Sequence, residues 1–149
     1  MNLKSSKRYV AVVAVLCLLC VGMSGCASIS SGGYEFKSGI TPPTAVSDLM
    51  QNRTVILFIT QNNCPACEQT RPLIAGLQSQ YNGTNVTFVN FNIDNNSTSQ
   101  NVGRAYGVTA TPTTVVLRKD GAAAIFVGAL DSSSVNTVKS AIDDARSTY

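Results

Sequence analysis

The sequence predicts an α/β domain: a central mixed β-sheet flanked by helices, with elements in the order β-α-β-α-β-α-β-β-α. Three observations predict it. Apolar, β-branched runs alternate with stretches whose apolar residues recur every three or four positions. The last two runs are separated by Lys119-Asp120-Gly121, and Asp-Gly is a strong hairpin signal. Cys64-Pro65-Ala66-Cys67 falls where the apolar run Val55-Ile56-Leu57-Phe58-Ile59 gives way to a helical pattern, and a Cys-x-x-Cys beside a β-α-β pattern is a redox signature.

Residues 34–36 suit a short edge strand, and residues 44–50 a short helix after Pro42-Pro43. Residues 54–60 are continuously apolar and rich in β-branched side chains, as in a strand buried on both faces. A helix is expected over 65–81, with Leu73, Ile74 and Leu77 on its inner face and a kink at Pro72. A strand over 85–91 and a helix over 97–106 follow, the helix ended by Gly107. Strands over 113–117 and 123–127 form the hairpin. A last helix, capped by Asp131 or Ser132, runs to about Arg146 with Val135, Val138 and Ile142 inward. The alternation favours parallel pairing, with the hairpin as an antiparallel edge.

The 149 residues suggest one domain, and the start of the chain stands apart from it. Lys4, Lys7 and Arg8 precede an apolar stretch from Tyr9 to Met23, then Ser24, Gly25 and Cys26. That order reads as an export signal over residues 1–25. The stretch is short of the roughly twenty residues that span a bilayer, although an uncleaved N-terminal transmembrane anchor is the alternative. Met23-Ser24-Gly25-Cys26 resembles the lipobox of prokaryotic lipoproteins, which implies lipid attachment at Cys26 and a flexible tether over 26–33. The domain then covers 34–149. Cys17 and Cys20 fall inside the apolar export stretch and would leave with it, so Cys64 and Cys67 become one isolated pair.

Three of the 11 basic residues sit in that leading segment, which leaves 8 of each sign in the rest of the chain. No basic patch argues for nucleic acid. Asn-x-Ser/Thr triplets at Asn52, Asn82, Asn85, Asn95 and Asn96 mark potential glycosylation of an exported chain, though they also arise by chance in an Asn- and Thr-rich sequence.

From about Val55 onward, the chain resembles thioredoxin and the wider thiol–disulfide oxidoreductases. The resemblance is carried by Cys64 and Cys67, Pro72, Phe91-Asn92-Ile93-Asp94, Tyr106-Gly107-Val108, Thr111-Pro112-Thr113 and Val127-Gly128-Ala129-Leu130, in the family's order and spacing. It implies the thioredoxin fold. It also implies a cis bond before Pro112, which would expose the Thr111 backbone beside the sulfurs to a substrate peptide. An ordinary turn proline is the alternative at that position. Two features depart from the family's pattern. Asn63 replaces the tryptophan usual before the first cysteine, and Phe58 and Asn90 replace a buried aspartate and its lysine partner.

A thiolate is the nucleophile in disulfide exchange, and a helix N-terminus stabilises it. Cys64 is therefore the expected attacking and attacked sulfur, with Cys67 resolving the mixed disulfide and Pro65 and Ala66 filling the loop without charge. No histidine occurs, which excludes a Cys–His nucleophile. Two thiols without histidine make a closed zinc site unlike this chain, and Glu68 stands where a haem motif needs histidine. A structural disulfide remains open, but so small a loop constrains little of the unfolded chain.

No metal or cofactor is expected. The expected function is exchange of Cys64/Cys67 with cysteine-containing exported proteins, at the outer face of the cytoplasmic membrane, with a membrane redox partner to regenerate the pair. The alternative is a non-catalytic thioredoxin-fold module that binds a partner and carries an inert disulfide.

Overall fold

The computed structural model describes residues 33–149. The export segment, the lipobox and Cys17, Cys20 and Cys26 lie outside the described residues. Among the described residues, four helices and four strands follow in the order α1 (Thr44–Ser47), β1 (Thr54–Thr60), α2 (Pro65–Gln80), β2 (Val86–Asn92), α3 (Ser97–Ala105), β3 (Thr113–Leu117), β4 (Ala123–Val127) and α4 (Ser132–Arg146). The strands form one mixed sheet ordered β2-β1-β3-β4.

Why β1 is apolar at every position but its ends becomes plain from its two faces. Successive side chains in a strand point to opposite sides. Ile56 and Phe58 pack with Ile74 and Leu77 of α2 and Val138, Ala141 and Ile142 of α4. Val55, Leu57 and Ile59 pack on the other side with Val46 of α1, Met50, Val102 of α3 and Tyr106. All seven β1 residues are buried, and each large apolar side chain among them contributes about 1.5–3 kcal/mol on burial. The strand is the wall between two cores, so the loop leaving it starts from a fixed point.

The pairing departs from the alternation in one respect. β1 and β2 are parallel, but β3 lies antiparallel to β1 on its other side, and β4 is antiparallel to β3. The α3 segment thus returns the chain in the reverse direction, and only one pair is parallel. The expected edge strand over 34–36 is also corrected. Only Lys37 bridges Ala123, through one pair of backbone hydrogen bonds of 2.9 and 3.0 Å. Tyr34 and Phe36 meet edge-to-face and pack against the core instead. Pro42 and Pro43, which cannot donate to a ladder, lie just downstream.

Other boundaries follow local chemistry. α3 ends in a Schellman arrangement in which the Val108 N–H donates to Gly103 O and the Gly107 N–H to Arg104 O, with Gly107 at φ 61°. The β3–β4 turn places Gly121 at φ 85°, and Asp120 Oδ1 accepts from the Ala122 N–H. α4 starts with a capping box: Asp131 accepts from the Ser133 and Ser134 N–H groups, and its own N–H donates to Ser134 Oγ. α2 runs through Pro72, which lies on an exposed face. The expected helix over 44–50 is shorter, ending at Ser47 and continuing as turns to Met50.

Candidate active site

Cys64 is the N-cap of α2, placed by the end of β1 and by an ordered loop before it. The Asn62 N–H donates to Asp94 Oδ2 at 2.8 Å, and Asn92 Nδ2 donates to Asn62 Oδ1 at 2.9 Å. These bonds tie the loop to the end of β2 and the turn that follows it. Asn63 then sits at φ 51°, a left-handed conformation that Asn tolerates better than most residues. The position that usually holds tryptophan in the family is here a turn-former.

Pro65 occupies the first helical position, where its missing N–H costs nothing. Cys64 and Cys67 form a disulfide with their Cα atoms 5.2 Å apart. Cys67 is 1% exposed and Cys64 9%, so the N-terminal cysteine is the one that reaches the surface. The Cys67 N–H donates to Cys64 Sγ at 3.1 Å. That amide belongs to the helix N-terminus, whose free N–H groups favour an anion. Glu68, also in the first turn, is exposed, and the hydrogen bond and charge of Arg71, 3.0 Å away, hold its carboxyl below the usual carboxylate range. The pairing offsets the Glu68 charge.

The Thr111–Pro112 bond is cis. The structure brings this segment against the disulfide: Thr111 Oγ1 lies 3.8 Å from Cys64 Sγ. Pro112 is buried, and its carbonyl accepts from the Gly128 N–H at 2.8 Å. Cys64, Pro65, Ala66, Cys67, Thr111 and Pro112 therefore converge on one pole of the sheet, at the carboxyl end of β1.

Beneath the site, Phe58 is 4% exposed and belongs to the core on the α2 side. Its pairing neighbour Asn90 accepts from Thr60 Oγ1 at 3.0 Å. With Arg71 and Gln78, Phe58 and Asn90 line a cleft of about 190 Å³. Neither a carboxylate nor a cysteine lines that cleft. Among the described residues, no three His, Cys, Asp or Glu side chains converge as metal ligands would, and no helix is long and apolar enough to cross a membrane. All five Asn-x-Ser/Thr asparagines are exposed.

No sequence pattern singles out Thr70. It is fully buried one turn beyond Cys67; its hydroxyl donates to Ala66 O at 2.9 Å and accepts from the Leu130 N–H at 3.1 Å. Its second partner is 60 residues away, so no local spacing reveals it. Asn62 is hidden for the same reason.

A buried disulfide at a helix N-terminus, faced by a cis-proline loop, on a β2-β1-β3-β4 sheet defines the thioredoxin-like class. The family of thioredoxin-like domains matches residues 47–140, and the chain belongs to it. Solved structures agree on the fold. Oxidised mitochondrial thioredoxin 3 from Saccharomyces cerevisiae superposes with a TM-score of 0.56 at 20% identity, covering 68% of this chain and 88% of that one. A point mutant of thioredoxin from Halobacterium salinarum gives 0.57 at 22% identity, covering 72% and 88%. A protein described as a putative thiol:disulfide interchange protein, DsbE, from Chlorobium tepidum gives 0.57 at 18% identity, covering 77% and 94%. No curated protein matches the sequence.

Proposed function

We propose that the protein is a thiol–disulfide oxidoreductase, tethered by lipid at Cys26 outside the cytoplasmic membrane, that exchanges Cys64/Cys67 with cysteines of exported proteins. The observation that carries this reading is the Cys64–Cys67 disulfide at the α2 N-terminus with Thr111 against the Cys64 sulfur.

The chemistry follows from that arrangement. In the oxidising direction, a substrate thiolate attacks Cys64 Sγ, the Cys64–Cys67 bond breaks, and Cys67 leaves as the thiolate. A second substrate thiolate then attacks the mixed disulfide and expels Cys64, so two electrons and two protons pass from substrate to protein. In the reducing direction, the Cys64 thiolate attacks a substrate disulfide and Cys67 resolves the mixed disulfide. Both directions need a membrane redox partner to restore the starting state. The Thr111 and cis-Pro112 segment offers backbone groups to an extended peptide at the sulfurs.

Trapping tests the reading. Cys67→Ser removes the resolving sulfur and is expected to accumulate mixed disulfides through Cys64 with exported proteins, whereas Cys64→Ser accumulates none. Equal yields from both variants would sink it. A second reading, a binding module with an inert disulfide, draws on the burial of Cys67 and on Phe58 and Asn90 standing where the family carries a charged pair; absence of any trapped partner would favour it.

A further inference from the structure

We infer that Thr70 is a positioning residue that acts through the Ala66–Cys67 peptide to strengthen the hydrogen bond received by the Cys64 sulfur. The inference rests on reading Cys64 as the attacking thiol.

Four groups stand in series. The Leu130 N–H donates to Thr70 Oγ1 at 3.1 Å, and Thr70 Oγ1 donates to Ala66 O at 2.9 Å. Ala66 O and the Cys67 N–H are the two ends of one planar peptide unit. That N–H is shared between two acceptors on one residue, Cys64 O at 3.0 Å and Cys64 Sγ at 3.1 Å. Every donor in the series points toward the sulfur, so each bond polarises the next in the same sense. A hydroxyl that accepts a hydrogen bond is a better donor. An amide whose oxygen accepts one presents a more positive N–H. The sulfur at the end receives that accumulated polarisation.

A threonine that merely bonds back to the carbonyl four residues earlier is common on helices. Thr70 differs in two ways. Its hydroxyl is also the partner of a main-chain N–H from a different part of the fold, and its side chain is fully buried, which shields the bond from Leu130 from solvent. The loop that supplies Leu130 also supplies Gly128, whose N–H holds the Pro112 carbonyl at 2.8 Å. One loop therefore feeds both sides of the disulfide: the relay to Cys64 and the segment that carries Thr111.

The series matters most after reduction. With the disulfide opened, Cys64 is the thiol to be ionised, and the thiolate is stabilised by whatever donates to it. Loss of the Thr70 hydroxyl leaves the Cys67 N–H in place but less polarised and less firmly oriented. Cooperative gains of about 10–30% per bond, on a bond to a charged group, imply a modest effect of roughly half a pKa unit.

The test is the pH dependence of iodoacetamide alkylation at Cys64 in the reduced full chain, localised by peptide mass spectrometry. Thr70→Val keeps shape and removes the hydroxyl. It is expected to raise the Cys64 pKa by about half a unit and to slow alkylation near pH 7 roughly threefold. Thr70→Ser restores the hydroxyl and is expected to restore the profile. A purely structural role would lower thermal stability in Thr70→Val without moving the profile, and that outcome overturns the inference. So does a Thr70→Ser profile that stays with Thr70→Val. Should Thr70→Val not fold, Thr70→Ala, which adds no bulk, reads the same pKa with the same expectations. Exchange of the wild type with glutathione is measured alongside. Normal exchange with an unmoved Thr70→Val profile rejects the relay alone, whereas a wild type that neither exchanges nor shows a lowered thiol pKa rejects the functional reading and the relay together.

Discussion

Thr111 and Cys64, 47 residues apart in sequence, meet with the threonine hydroxyl 3.8 Å from the sulfur. The contact joins the loop before β3 to the N-cap of α2. It places a second donor on the sulfur that already receives the Cys67 N–H.

Removal of that donor has a readable consequence. Thr111→Val is expected to raise the pKa of Cys64 in the reduced protein, because a hydrogen bond to the charged form is lost. At a donor distance this long the effect is small, about two- to threefold slower alkylation at neutral pH. The pH profile of alkylation checks it; an unchanged profile would show that the hydroxyl does not reach the thiolate.

Phe58, six residues before Cys64, is packed among Ile74 and Leu77 of the helix that carries both cysteines. Phe58→Ala is expected to cost about 3–5 kcal/mol of stability through lost burial and a residual cavity. Urea denaturation with the disulfide intact measures this. A cost below about 1 kcal/mol would mean that the side chain is not part of the core that supports α2.

Tyr106 is 2% exposed, and its hydroxyl has no hydrogen-bond partner among the described residues. Burial pushes its pKa from 10.0 up to about 12. The folded state therefore favours the neutral phenol. That contribution is complete below pH 10 and is lost as pH rises toward 12. Burial and a hydrogen bond to Asp143 raise Tyr81 in the same direction. Tyr106→Phe is expected to gain about 1 kcal/mol at neutral pH, since an unpaired polar group leaves the core. It should also lose less stability than wild type between pH 10 and 12. Denaturation midpoints across that range decide it, and a steeper alkaline loss in the variant would contradict the account.

Much of this was legible in the sequence because the relevant patterns are local. The unbroken apolar run of β1 announced a strand covered on both faces, and Asp120-Gly121 announced the hairpin. The Cys64–Cys67 spacing and the Thr111-Pro112 pair marked the two segments that meet at the disulfide. Legibility stopped where a property depends on contacts across the fold. Alternation of strand and helix does not say on which side of β1 the third strand lands, and β3 arrived antiparallel. Residues 34–36 had the composition of a strand, yet packing of Tyr34 and Phe36 took precedence over a ladder. Thr70 and Asn62 act through partners 60 and 32 residues away, which no spacing rule can find.

The central claim is that Cys64 and Cys67 interconvert between disulfide and dithiol as the working chemistry of the protein. Equilibration of the full chain in glutathione buffers, with the state of this pair read by peptide mass spectrometry, tests it most directly. The account predicts ready, reversible exchange and a potential between about −270 mV, where a reductant such as thioredoxin lies, and about −120 mV, where a strong disulfide donor lies. A disulfide that fails to equilibrate while the fold stays intact would contradict it and leave a thioredoxin-fold binding module in its place.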